Sequence, residues 1–270
     1  KPSLLVSHDR PYHFFFDQYI NIERILSCLE RPVEVYEGNC FYSVSALGIT
    51  PGNYVSNNIS FLPLMYVNRH EKSGFDDVLG IRKKVISSAL SSEFSLSVEV
   101  NDFDLVVYIG ITGQKRCWIQ QVDACVLLAH QMQFNSKKLL LFVDGMTSAY
   151  GKEEKVVSDS DVFDNIEHRL ERIKGVRAVS LVGKDYAHKI IALTRSHFFI
   201  SNSGSGAIAP LFFSNVKGIL HGLVDPFFRM RLHESDRISY LGEDYCFPVD
   251  KSNNKAAVSY SANHKLVMQQ

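Results

Sequence analysis

Proline is scarce in this chain (8 of 270 residues), tryptophan occurs once, and no run of about 18 apolar residues is found anywhere. The longest apolar stretches, Asp104 to Ile111 and Lys138 to Val143, have the length of strands, so the sequence offers no helix that would cross a membrane. Neither sign of charge prevails, with 29 Lys and Arg against 29 Asp and Glu. That balance excludes nucleic-acid binding through an extended basic face, which needs clustered cations to neutralise phosphates. The five cysteines, Cys28, Cys40, Cys117, Cys125 and Cys246, form no CxxC and no Cys/His pair at zinc-ligand spacing. An odd number cannot pair completely within one chain, so reduced thiols and a cytoplasmic setting are expected. In such a setting the sequon Asn58-Ile59-Ser60 has no meaning. Disorder is excluded by what is abundant: 46% hydrophobic residues, 18 Phe and 12 Tyr supply enough apolar surface to offset chain entropy.

From Asp102 onward, short β-rich runs alternate with amphipathic stretches of helix length, the pattern of a parallel sheet covered by helices. Phe103 to Ile111, Lys138 to Val143, Val176 to Val182, His197 to Ser201 and Val216 to Leu220 read as strands. Helices are predicted over Ile119 to Met132, Asp161 to Lys174 and Tyr186 to Leu193; the second begins acidic, ends basic and is stopped by Gly175. The first hundred residues are less regular: strands at Ser3 to Ser7 and Val33 to Tyr36, helices at Phe14 to Leu29 and Val78 to Leu90, and Gly, Pro and Asn clusters between Gly38 and Phe75. The expected fold is α/β, with a Rossmann-like parallel sheet over residues 101–250, a shorter N-terminal α/β lobe over 1–100 and a loose or docking tail over 251–270. The chain opens at Lys1 without Met and reads as a piece of a longer polypeptide.

Four stretches carry candidate chemistry. Ser201-Asn-Ser-Gly-Ser-Gly206 joins a strand to an apolar, helix-like segment; its glycines let backbone approach a ligand, and free N–H groups at a helix start hold phosphate. The alternative is tight packing of strand on helix. Gly110-Ile-Thr-Gly113-Gln-Lys115-Arg116 follows the first strand of the sheet, where ligands of such folds gather; two cations beside glycines suit a diphosphate, or else form a solvated turn. Lys184 ends a later strand, and His221 opens a run with Asp225, Arg229, Arg231 and His233 that lines a donor pocket or a surface connection. His8, Asp9, Arg10 and His13 form a polar cluster before an aromatic run. His13, with Asp9 or His8 in reserve, suits a general base, since a side chain that titrates near 6.5 accepts a proton from a hydroxyl at neutral pH. Arg10 suits an anion. The alternative is a capped helix start with structural histidines. No Ser-x-x-Lys, Gly-x-Ser-x-Gly or His-Glu-x-x-His motif supports a hydrolase. No stretch is counted as an Asp-x-Asp motif, Ser158-Asp-Ser-Asp161 included, so the usual metal-diphosphate ligand of metal-dependent sugar transfer is read as missing and neither metal nor cofactor is expected.

The element order over residues 102–225, and the Ser/Gly turn in particular, resembles the nucleotide-sugar domain of two-lobed (GT-B) glycosyltransferases, especially bacterial polysaccharide enzymes and glycosyltransferase family 61. The Ser7 to Gln18 stretch is similar to the early Asn-x-x-His-aromatic segment of that family, with Arg10 where the pattern has Asn. The resemblance implies transfer of a sugar from a nucleotide-sugar donor to a glycan or lipid-linked glycan of a bacterial lipopolysaccharide or capsule. Its one residue-level match places Ser201, Asn202, Ser203, Gly204, Ser205 and Gly206 at the donor, where Arg10, Gly113, Lys115, Arg116, Lys184 and His221 are also expected from their own chemistry and position. Further domains of the same polypeptide are expected partners, with peripheral contact to the inner membrane through them. Two rivals stand beside this reading: a non-catalytic α/β module that docks a neighbouring catalytic domain, and a nucleotide-dependent enzyme of another kind such as a phosphate-ester transferase.

Overall fold

The computed structural model describes residues 3–28, 33–52, 72–223, 236–242, 244–249 and 259–263. Near the N-terminus, strands β1 (Ser3–Val6) and β2 (Glu34–Glu37) pair in parallel, with Leu4 beside Val35. Between them a π-helical segment, His13–Tyr19, runs straight into helix α1 (Ile20–Cys28). Helix α2 (Lys72–Leu90) starts six residues before the apolar pattern that announces it. The expected loops over 53–71 lie outside the described residues.

The alternation predicted beyond Asp102 is present: β3 (Leu105–Gly110), α3 (Gln121–Phe134), β4 (Leu139–Asp144), α4 (Val157–Leu170), β5 (Val176–Ser180), α5 (Tyr186–Thr194), β6 (Phe198–Asn202), α6 (Ile208–Phe212) and β7 (Lys217–His221). A further strand, β8 (Ile238–Leu241), extends the sheet beyond the five read from sequence; at four residues, behind a charged and aromatic run, it gives little periodic signal. All neighbours pair in parallel in the order β5-β4-β3-β6-β7-β8. The direction of strand addition reverses between β3 and β6, as in nucleotide-binding α/β sheets. Helix α4 begins four residues before its predicted start, and its added first turn carries a carboxylate used by two loops, described below.

Both faces of the sheet are buried, and consecutive strand residues feed opposite cores. Val106, Tyr108, Leu140, Phe142 and Phe199 face one core, which also takes in residues of α2, α5 and α6. Val107, Ile109, Leu141, Val143 and Ile200 face the other, with α3 and α4. The first core also takes in residues of the stretch expected to form a shorter N-terminal lobe. Phe14, Phe15 and Phe16 belong to it, with Phe15 packed at a tilt against Phe213 (centroids 4.7 Å apart) and Phe16 edge-on to Phe212 (5.1 Å). Among the described residues, the first hundred share one core with the sheet. On the second face, β9 (Cys246–Pro248) and β10 (Tyr260–Ala262) form an antiparallel pair. Tyr260, in the stretch expected to be a tail, is buried; its carbonyl accepts from the Ile119 N–H at 3.1 Å and its N–H donates to the Cys117 carbonyl at 2.9 Å.

Among the described residues, one lysine–carboxylate pair lies in the interior. Lys189 on α5 and Asp144 at the end of β4 are in contact, both almost wholly buried. The Tyr108 hydroxyl also donates to Asp144, and the Lys189 ammonium donates to the Gly145 carbonyl at 2.9 Å and the Thr147 hydroxyl at 2.7 Å. Burial pushes the Asp144 carboxyl up and the Lys189 ammonium down, against their mutual attraction. Removing one partner of such a pair leaves a bare buried charge, so Lys189→Met should lose about 3–5 kcal/mol in urea unfolding. The double variant Lys189→Met/Asp144→Leu should recover most of that loss; no recovery would mean that the pair itself is not what holds this point of the core.

Candidate functional site

The reversal of strand order leaves a crevice beyond the carboxyl ends of β3 and β6, and the loops that follow those two strands meet there. Gly110 ends β3 directly against Ser201, whose Oγ would lie 2.7 Å from a Cβ at position 110. The chain then runs through Ile111 to Arg116, held by local hydrogen bonds: the Ile111 N–H donates to the Asp144 carbonyl (2.6 Å), the Thr112 N–H to Gln121 Oε1 (3.1 Å), and the Thr112 hydroxyl to the Lys115 carbonyl (3.2 Å). Arg116 has φ +59°, a left-handed backbone that non-glycine residues adopt at a cost. Its guanidinium lies on Gly204, where Nη1 would be 2.7 Å from an added Cβ, and Gly204 itself has φ +153°. The result is a cleft of about 220 Å³ lined by Thr112, Lys115, Arg116, Met146, Asn202 and Gly204 among others. Across Met146 and Gln114 it adjoins a shallower groove beside Lys155, Ser158 and Asp161.

The two loops that sequence reading offered for phosphate thus lie against each other, but not all of their expected donor residues open on the cleft. Ser201 and Ser203 are buried; the Ser203 N–H donates to the His221 carbonyl (2.7 Å), so these residues tie β6 to β7 and do not open on the cleft. After the turn come only a single 3₁₀ turn at Ser205–Ala207 and the five-residue α6. So short a helix has little dipole to offer an anion, and cationic side chains are left to supply the charge. Arg116 forms no hydrogen bond or ion pair with any described residue, and Lys115 is exposed beside it. Gly113 does not face the cleft: a Cβ there would lie 2.1 Å from the Ser158 carbonyl oxygen, so its missing side chain admits α4 and not a ligand.

Other expected donor residues lie elsewhere. His221 is wholly buried, stacked on Trp118 (4.5 Å between centroids), with Nδ1 2.7 Å from the Tyr260 hydroxyl; it is a core residue. Lys184, at the far edge of the sheet after β5, pairs with Glu153 at 2.8 Å and does not line the cleft. The run from Asp225 to His233 lies outside the described residues. Asp102-Phe103-Asp104 and Asp159-Ser160-Asp161 do fit the letter of the Asp-x-Asp motif that the sequence reading set aside. The first pair stands at the opposite end of β3 from the cleft, with Asp104 accepting from the Lys138 N–H at 2.7 Å. In the second, Asp159 is buried and bound to backbone, whereas Asp161 is exposed.

The polar cluster near the N-terminus is assembled as predicted, and it includes one residue the sequence reading missed. His13 Nδ1 lies 2.6 Å from Asp17 Oδ2, across one turn of the π-helical segment, and Asp17 is buried. The His8 and His13 rings are 4.6 Å apart, and the Arg10 N–H donates to His8 Nδ1 at 3.2 Å. Burial and the neighbouring His13 lower the His8 pKa. Phe14 to Phe16 turn into the core, so they do not enclose His13, which stays partly exposed beside its carboxylate. An acid four residues after a helical histidine is a legible signal for such a pair. No hydrogen bond or ring contact among the described residues joins this cluster to the cleft.

Compared with protein-family models the chain matches none, and compared with curated proteins it again matches none.

His221 generates a test of its core assignment. Burial holds the imidazole neutral and pushes its pKa down to about 3, whereas an unfolded histidine takes up its proton near 6.5. Between those values the unfolded chain binds the extra proton, so stability is lost as pH falls from about 6.5. Between pH 6.5 and 5.5 the unfolding free energy of the protein should drop by about 1 kcal/mol more than that of His221→Asn; identical slopes would place the ring in contact with water.

Proposed function

We propose that this chain is a glycosyltransferase that holds a nucleotide-sugar at the β3/β6 crevice and passes the sugar to a glycan acceptor of a bacterial surface polysaccharide. The observation that carries the reading is Arg116. A half-buried guanidinium without a partner among the described residues, fixed by a left-handed backbone over Gly204 at the reversal of strand order, is arranged to receive an anion. A nucleoside diphosphate is favoured over a dinucleotide. The loop after β3 has no GxGxxG, and Asp144, at the end of the second strand where dinucleotide enzymes read the ribose, is turned inward to Lys189. The sugar-transfer part rests on the resemblance of element order and of the Ser/Gly turn to family 61 and its bacterial relatives.

In this mechanism Asp17 accepts the Nδ1–H of His13 and so leaves Nε2 with its lone pair. Nε2 takes the proton of the acceptor hydroxyl as that oxygen bonds to the anomeric carbon. The bond from that carbon to the diphosphate breaks, and the charge that develops on the leaving diphosphate is met by Arg116 and Lys115. Asp17 acts through His13 as a positioning residue.

Calorimetry against UDP, GDP, CMP and dTDP tests the binding half. Arg116→Gly should remove binding of whichever nucleotide the protein takes, while stability stays unchanged or rises by up to about 1 kcal/mol as backbone strain is relieved. Silence of the unaltered protein across the panel would overturn the reading in favour of a module that docks another domain. For the chemical half, His13→Ala should bind nucleotide normally and release it from the matching nucleotide-sugar at least ~100-fold more slowly. Near-normal turnover would return the cluster to a structural role.

A further inference from the structure

Loop 111–116 carries the cations of the cleft and is held at its start by the Ile111 and Thr112 hydrogen bonds given above. Among the described residues, its one hydrogen bond to α4 is from the Gly113 N–H, which donates to Asp159 Oδ1 at 2.7 Å. The other oxygen of the same carboxylate accepts the Met146 N–H, from the loop after β4, at 2.6 Å. Both loops line the cleft, and Asp159 itself is buried at its wall. The backbone on either side is shaped for this contact. A Cβ at Gly113 would lie 2.1 Å from the Ser158 carbonyl oxygen, and one at Gly145 would lie 2.8 Å from Asp159 Oδ2 and 3.0 Å from its Cβ. Two glycines from two loops thus admit the first turn of α4, and one carboxylate joins them.

We propose that Asp159 is the positioning residue of the anion cleft: by bridging the Gly113 and Met146 N–H groups it holds the two loops in the one arrangement that presents Lys115 and Arg116 to a ligand phosphate. The inference rests on the anion-binding reading of the cleft. A carboxylate is required because two backbone donors approach from two loops, and only a group with two acceptor oxygens satisfies both. Asparagine, the nearest isostere, accepts one and presents an N–H to the other. Asp159 contributes no contact to the ligand in this role; with both oxygens engaged, its charge is met by backbone dipoles.

The experiment compares Asp159→Asn and Gly145→Ala with the unaltered protein. The second variant keeps the carboxylate and displaces it, so the question remains answerable if the first does not fold. Each should weaken binding of the tightest nucleotide in the UDP, GDP, CMP and dTDP panel by about tenfold or more, the loss typical of one charge-assisted hydrogen bond. Each should also speed trypsin cleavage after Lys115 and Arg116 by a similar factor, with cleavage after Lys174, at the other end of α4, unchanged. Equal acceleration at Lys174 would mean a general loss of stability and would overturn the proposal. So would normal affinity with normal cleavage at Lys115 and Arg116. If the unaltered protein binds none of the nucleotides, the functional reading falls, while the selective cleavage still decides whether Asp159 holds the loop.

Discussion

A parallel sheet has two apolar faces and no tolerance for leaving either in water. Here that requirement organises nearly everything else. Along β3 and β4, successive residues alternate between two separate cores. The helices between the strands cover part of each face. The remainder is covered by chain from outside the alternating unit: the aromatic run Phe14 to Phe16 on one side, and the β9/β10 pair with Tyr260 on the other. The described parts of the first hundred residues and the late C-terminal strands are thus structural complements of the sheet, whatever they add to function.

Charge is sorted around the same frame. Carboxylates at the carboxyl ends of the strands point inward and are neutralised: Asp144 by Lys189 and Tyr108, Asp159 by two backbone N–H groups, and Asp185 by the Ala187 N–H at the start of α5. Cations on the loops above them, Lys115 and Arg116, have no such partners among the described residues. At this edge three acids are engaged by the protein itself while Lys115 and Arg116 are not, in a chain whose overall charge is zero. This local asymmetry is invisible to any count of charged residues.

What could be read from sequence follows from the range of the interactions. The strands and helices beyond Asp102 are set by apolar periodicity within ten or so residues, and the crevice follows from their order, so both were legible. His13 with its neighbours was legible as a cluster, and Asp17 was within reach because the pair spans one turn. Asp159 was not: its partner Gly113 is 46 residues away, and an acid in a first helical turn has an adequate local explanation in the macrodipole. The glycines misled for a related reason. Gly113 signals close approach correctly but cannot say whether ligand or helix approaches. His221 misled because the sequence shows a histidine after a strand and not the Trp118 and Tyr260 that enclose it from 103 and 39 residues away.

The contact of Tyr260 with Trp118 has a consequence for the order in which the protein is made. The Trp118 indole N–H donates to the Ala262 carbonyl across 144 residues of chain. At translation rates of about 5–20 residues per second, the indole and the face of the sheet beneath it emerge on the order of ten seconds before the strand that covers them. During that interval the nascent chain displays its single tryptophan and the apolar side of β3 to solvent, next to the loop that holds Arg116. Folding of this face is closed by the last described residues of the chain, so a ribosome that stops short of them releases a polypeptide with its sheet half dressed, a ready substrate for chaperones and proteases.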